Sequence, residues 1–193
     1  MPSTSEDGCV VTNGMSNYAR DGKNANSALI AQVRKEEYGS DYALAGIEFQ
    51  RKIEHAAYIA GGKSYAAPVQ LVGDFLKDKT SSSFGCVQPT YAAGTVFADF
   101  RQVLPTPVVE ALKNALPDMD KRLKGFACPD ALLTAAETRT SSPIRIERDE
   151  TLQSVGAAGL YPCGEGAGYA GGITSSAADG LRVAEAIYQA FTN

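Results

Sequence analysis

The stretch that decides the fold runs Gly159-Leu160-Tyr161-Pro162-Cys163-Gly164-Glu165-Gly166-Ala167-Gly168-Tyr169-Ala170-Gly171-Gly172-Ile173. It reads as a short strand over 159–163, a turn dense in glycine, and the opening of a helix expected from about Thr174 to Ala190. Glycine lets backbone N–H groups approach a ligand with no Cβ in the way. The helix N-terminus adds partial positive charge. The pattern therefore predicts a loop that receives an anionic or strongly dipolar group. Beyond it, Ile173, Ala177, Gly180, Ala184, Ile187 and Phe191 recur at helical spacing and predict one buried apolar stripe.

Gly166, Gly168 and Gly171 also spell G-x-G-x-x-G. A dinucleotide fingerprint needs a second strand and an acidic residue roughly 20 positions on. A single helix follows here, so no βαβ unit forms from these residues. The element is expected instead to close a sheet whose first strands come from elsewhere.

Working upstream, Ile144-Arg145-Ile146-Glu147-Arg148 alternates and predicts a strand. Thr106-Pro107 predicts a helix start, with the helix broken at Pro117 and a second short helix over Asp118–Lys124 ending at Gly125. Val69, Leu71 and Phe75 predict a strand, as do 96–98, 28–33 and the Val10-Val11 pair before Asn13-Gly14. Phe49, Ile53, Ala56 and Ala60 form an apolar stripe on a helix over Leu44–Ala60, stopped by Gly61-Gly62. The predicted fold class is α/β with mixed α+β character: a substrate-side region over 1–137, and a closing strand and helix of a Rossmann-like domain over 138–193.

The 193 residues carry a net charge of -4 and 44% hydrophobic content, enough to fill a core. No basic stripe is present, which argues against nucleic acid as a partner. No apolar run approaches the roughly 20 residues of a membrane span, and the first residues do not resemble a signal peptide. A cytoplasmic location is expected. Cys9, Cys86, Cys128 and Cys163 lie far apart and His55 is the single histidine, so a metal site is not expected. Cys163 reads as a small buried strand residue, and His55 as part of a solvated helix face with Glu48, Arg51 and Lys52.

The glycine run resembles the carboxy-terminal flavin motif of bacterial predicted FAD-dependent dehydrogenases, NAD(P)/FAD-dependent oxidoreductases of largely unassigned substrate. The resemblance continues through Asn13-Gly14-Met15-Ser16, Arg20–Ala28, Phe49-Gln50-Arg51-Lys52, Pro68-Val69-Gln70-Leu71 and Thr138–Pro143, in order along nearly the whole chain. It implies FAD as cofactor, held by Gly164, Glu165, Gly166, Gly168, Tyr169, Ala170, Gly171, Gly172 and Ile173. Glu165 would accept hydrogen bonds from ribityl hydroxyls, and Gly171-Gly172-Ile173 would face the pyrimidine end of the isoalloxazine. Arg139, Ser141, Ser142 and Arg145, with Arg20 and Asn24, would line a site for a small-molecule substrate or for NAD(P)H as electron donor. Such proteins begin with a strand and G-x-G-x-x-G turn that hold the pyrophosphate, and this sequence has no such segment. It is expected to be a carboxy-terminal fragment whose partner is that FAD-binding segment, and to self-associate through its unfilled helix face. Two other functions compete: a non-catalytic binding module built on the same fold, and a nucleotide-binding protein using the terminal loop on phosphate. The lack of a lysine in the loop and the presence of Glu165 weigh against the latter.

Overall fold

The computed structural model describes residues 1–192, which divide into two compact units. The first comprises Met1–Gly39 and Phe49–Thr138, and the second comprises Ser40–Glu48 and the chain from Arg139 onward. Helices and a small mixed sheet make the architecture mixed α/β.

The first unit is organised around β1 (Ala67–Leu71), the middle strand of three. β2 (Thr95–Phe97) pairs with it in parallel, Ala67 opposite Thr95 and Val69 opposite Phe97. β3 (Leu132–Thr134) pairs antiparallel on the other side, Val69 opposite Thr134 and Leu71 opposite Leu132. Four of the five β1 residues are buried, as expected for a central strand covered on both faces.

That position explains the buried Gln70. Its side-chain oxygen accepts from the Phe100 N–H at 3.0 Å, and its amide donates to the Lys79 carbonyl at 2.6 Å. The Phe100 N–H, which would otherwise be orphaned in the interior, is thereby satisfied. α2 (Val72–Phe75) follows β1 directly, and its N–H groups at Val72 and Gly73 bond to Ala131 and Pro129. A Cβ on Gly73 would meet Pro129 Cβ at 2.9 Å, so this approach requires glycine.

Val72 and Phe75 join Phe100, Val103, Val109, Leu112 and Leu116 in the hydrophobic core. The last three lie along α3 (Thr106–Arg122) at i, i+3 and i+7, one face of a helix. α1 (Ala45–Ala60) contributes Ala57.

Several sequence expectations need correction. Phe75 lies in α2 rather than in a strand, because the chain turns onto the 129–131 segment as soon as β1 ends. α3 runs through Pro117 to Arg122 as one helix. Pro117 sits on the exposed face, and burial of Leu112 and Leu116 offsets the one backbone bond it removes. Residues 28–33 form no strand: no neighbour supplies a ladder, and Ile30 is exposed. Val10 and Val11 are buried, but the segment makes only an isolated bridge between Pro2 and Thr12. β3 was not anticipated, being too short to show periodicity. On α1 the predicted stripe is half-buried, whereas Glu54 and Ala57 are the most buried residues. The Glu54 carboxylate accepts from the Thr138 hydroxyl at 2.6 Å.

In the second unit the long element is α4 (Ile173–Thr192). The strands predicted at 144–148 and 159–163 are irregular, since both segments wrap the glycine loop instead of pairing with a sheet. The predicted apolar stripe of α4 is not buried: Ile173 is 93% and Phe191 80% exposed, while Asp179 and Val183 are covered. Leu181 and Tyr188 are exposed as well. No helix among the described residues is long and apolar enough to cross a membrane.

Candidate functional site

The glycine loop of the second unit is built around one ion pair. Arg148 donates to Asp179 through both terminal nitrogens, at 3.0 and 2.7 Å, and also to the Pro162 carbonyl at 2.8 Å. Both side chains are more than nine-tenths buried. A bidentate arginine–carboxylate pair of this kind is geometrically demanding and fixes both partners. Asp179 accepts a third hydrogen bond from the Gly164 N–H at 2.9 Å. The guanidinium, and then that N–H, hold the Asp179 carboxyl down at about 2. The same pairing pushes Arg148 further up.

Tyr169 completes the frame. The Arg148 guanidinium lies 3.6 Å from its ring centroid, stacked on the face where a cation is attracted by the π quadrupole. The Tyr169 hydroxyl donates to the Ile146 carbonyl at 3.0 Å and accepts from the Arg148 N–H at 3.1 Å. The loop also closes on itself, Gly168 N–H to Glu165 carbonyl at 2.9 Å and Tyr169 N–H to Gly164 carbonyl at 3.0 Å. From outside, Ile146 N–H donates to the Ala167 carbonyl at 3.1 Å.

The glycines of the loop are not equivalent. Gly168 has φ +83°, and a Cβ there would clash with the Ile144 carbonyl and meet Arg145 Cα at 3.0 Å. Its role is structural, to let the loop pass beneath 144–145. Gly166 and Gly171 have open space where a Cβ would be. Their backbone is bare toward that space. Gly171, Gly172 and Ile173 lead into the first turn of α4, whose N–H groups have no carbonyl of their own helix to donate to. Ser176, in that turn, has a buried hydroxyl oxygen without a hydrogen-bond partner among the described residues. The Glu165 side chain is half-buried and makes no hydrogen bond or ion pair among the described residues.

Of the second predicted group, two members reach the loop. The Ser142 hydroxyl donates to the Gly166 carbonyl at 3.1 Å. Arg145 donates to the Gly168 carbonyl at 3.1 Å, with its guanidinium 5.0 Å from the Tyr169 centroid. Both clamp the loop from one side. Ser141 and Arg139 are exposed in the same unit. Arg20 and Asn24 belong to the first unit, where Asn24 donates to the Gln88 carbonyl at 2.7 Å. Cys163 is exposed, not a buried strand residue, because 159–163 does not enter a sheet. His55 is exposed, its Nδ1 at 2.9 Å from the Gly8 carbonyl.

Sequence reasoning missed Arg148 and Asp179, the two residues that hold the loop. A signal was present for each. Arg148 falls in phase with Ile144 and Ile146, hence on the inward face of an alternating run. Asp179 is the single acid within Ser175-Ser176-Ala177-Ala178-Asp179-Gly180, on the side where the helix carries only small residues.

Residues 1–140 match the family described as FAD-dependent protein, C-terminal domain-like, and the glycine loop lies beyond the matched residues. An uncharacterized protein of Clostridium beijerinckii is 52% identical over 187 residues, covering 97% of this chain and 35% of the relative. The chain thus spans about a third of the length of the curated relative it matches. With the whole of its first unit inside the match, the chain belongs to the FAD-dependent protein, C-terminal domain-like family.

Proposed function

We propose that this chain forms part of an FAD-dependent oxidoreductase, in which its terminal glycine loop receives the flavin end of the cofactor. The carrying observation is the frame around the loop: the Arg148–Asp179 pair fixes Gly164, while the backbone at 166 and 171 stays open. A rigid loop with bare backbone and unspent N–H groups costs little to order when a ligand arrives. The FAD-dependent family to which the chain belongs supports the same reading.

FAD, when bound, supplies hydride-transfer chemistry. Gly171, Gly172 and Ile173 would present backbone N–H groups and the positive end of α4 to the electron-rich pyrimidine edge of the ring. Glu165 would accept from ribityl hydroxyls, for which a carboxylate suits and which its lack of a present partner permits. The Ser176 hydroxyl gives one more polar group at the helix start that a ligand atom or water would satisfy. The pyrophosphate would be held by residues outside this chain, and residues 1–137 would shape the substrate side.

The test is flavin retention by the intact protein. Wild type is expected to keep a flavin absorption spectrum after desalting, and Gly172→Val to lose it while remaining folded. A Cβ at Gly172 meets only Ser175 Oγ, at 3.5 Å, so the fold accommodates the added side chain but the cofactor face does not. Unchanged flavin content in that variant would remove the loop from the cofactor site.

A further inference from the structure

The half-buried stripe of α1 does more than border the core. Phe49, Lys52 and Ile53 stand at i, i+3 and i+4, on one face of the helix. With Gln102, Val103, Leu104 and Pro105, the segment leading into α3, they line a cleft of about 220 Å³ in the first unit. The lining is held in place before any ligand arrives. The Phe49 ring lies 5.5 Å from that of Tyr38, centroid to centroid. Ile53 and Leu104 pack against the hydrophobic core, of which Val103 is a buried member. The Val103 and Leu104 N–H groups donate to the Phe100 carbonyl at 3.1 and 2.8 Å. The Pro105 carbonyl accepts from the Val108 and Val109 N–H groups at 2.9 and 3.1 Å. A preformed cleft spends little conformational entropy on binding.

Size and polarity narrow what the cleft takes. Drug-sized ligands occupy pockets of about 300–1,000 Å³. An engineered apolar cavity of about 150 Å³ in an unrelated protein holds benzene. At about 220 Å³ this cleft suits one ring or a short branched chain bearing one small polar group. Two polar side chains stand among the apolar ones. Neither the Lys52 ammonium nor the Gln102 side-chain amide makes a hydrogen bond or ion pair among the described residues. The arginines next to them in sequence are committed, Arg51 to Glu6 and Arg101 to Asp99 and Asp78. A cation and an amide donor at an apolar cleft favour an acceptor that carries negative charge.

We propose that this cleft binds a small apolar carboxylate, an aryl or branched alkyl acid. The hydrocarbon part rests on Phe49, Ile53, Val103 and Leu104, and the carboxylate meets Lys52 and Gln102. The site belongs to the first unit and does not depend on the flavin reading of the glycine loop. Burial of the ligand's apolar surface supplies most of the affinity. Lys52 is exposed, so its ion pair adds a modest amount and serves chiefly to select charge. A single cation matches a monoanion. A phosphate monoester of the same shape would bring a second charge that has no partner in the cleft.

The experiment titrates the intact protein, methyl-labelled at isoleucine, leucine and valine, with benzoate and with benzyl alcohol, an uncharged probe of the same size. NMR follows the methyl groups of Ile53, Val103 and Leu104. Saturable shifts at these residues are expected with both probes, in the millimolar range for ligands this small. Benzoate should bind about fivefold more tightly, the gain an exposed ion pair can give. Lys52→Gln should lower benzoate to the affinity of the alcohol and leave the alcohol unchanged. Unaltered methyl signals of the buried Val109 and Leu112 check that this variant keeps its fold. No saturable shift in the wild type, or shifts confined to other residues, would overturn the site. Equal affinity for the two probes, tighter binding of the alcohol, or a preference for benzoate that survives in Lys52→Gln would overturn the assignment to acids.

Discussion

Arg148 and Asp179 are 31 residues apart and hold each other through two hydrogen bonds of 3.0 and 2.7 Å. Arg148 also caps the Pro162 carbonyl, and Asp179 takes the Gly164 N–H. The pair thus links the segment before the glycine loop, the loop itself and the helix after it. A buried pair is a poor source of net stability, since desolvation offsets most of the attraction, but removing one member leaves the other charge uncompensated.

Arg148→Met is accordingly expected to cost about 3–5 kcal/mol in the second unit, the range for breaking a buried pair. Amide exchange at Gly164 should quicken strongly, with little change in the β1 amides. Equal loss of protection in both places would mean the pair supports the whole chain rather than the loop.

The same pair sets an acid limit. Asp179 titrates at about 2 in the folded protein against 3.8 ordinarily. Its folded-state value is depressed, so its contribution is fully present above pH 3.8 and is lost as pH falls toward 2. Tyr169 fluorescence, sensitive to the stacked guanidinium, should change across that window in wild type. In Asp179→Asn the change in that window should be absent.

Two loop glycines should respond differently to alanine. Gly168→Ala combines φ +83° with a clash against Ile144, and should destabilise the second unit by about 1–3 kcal/mol. Gly166→Ala has open space and should leave thermal stability within about 0.5 kcal/mol of wild type. Its effect is expected in flavin retention instead. Thermal melts beside flavin spectra of the two variants separate these roles.

In the first unit, Gln70→Leu removes the partners of the Phe100 N–H and the Lys79 carbonyl. The expected loss is about 1–3 kcal/mol, from the Phe100 N–H left buried and unsatisfied. Pro117→Ala should act the other way, restoring a backbone bond on an exposed helix face and raising stability by up to about 3 kcal/mol. Denaturant titration of the two variants gives the sign of each.

The unburied face of α4 leads us to propose self-association where nothing else covers it. Leu181 and Phe191 are 69% and 80% exposed. Leu181→Glu with Phe191→Ser should shift a concentration-dependent sedimentation profile toward monomer. A wild-type profile independent of concentration would exclude this use of the face.

The amino-acid sequence by itself determined the elements whose signals are local. The stops at Gly61-Gly62, the Thr106-Pro107 start, the 3.6-residue repeats of α1, α3 and α4, and the glycine density at 164–172 are all properties of neighbouring residues. Only the tertiary structure decided what those elements meet. Whether Pro117 ends a helix depended on how much Leu112 and Leu116 bury. Whether 28–33 and 144–148 become strands depended on a partner ladder that neither finds. Which face of α4 is covered was settled by a charge, Asp179, reaching Arg148 from 31 residues away, and no periodicity of apolar residues carries that contact. The glycines announced a loop, but its rigidity comes from a bidentate ion pair, an interaction that exists only once distant segments are folded together.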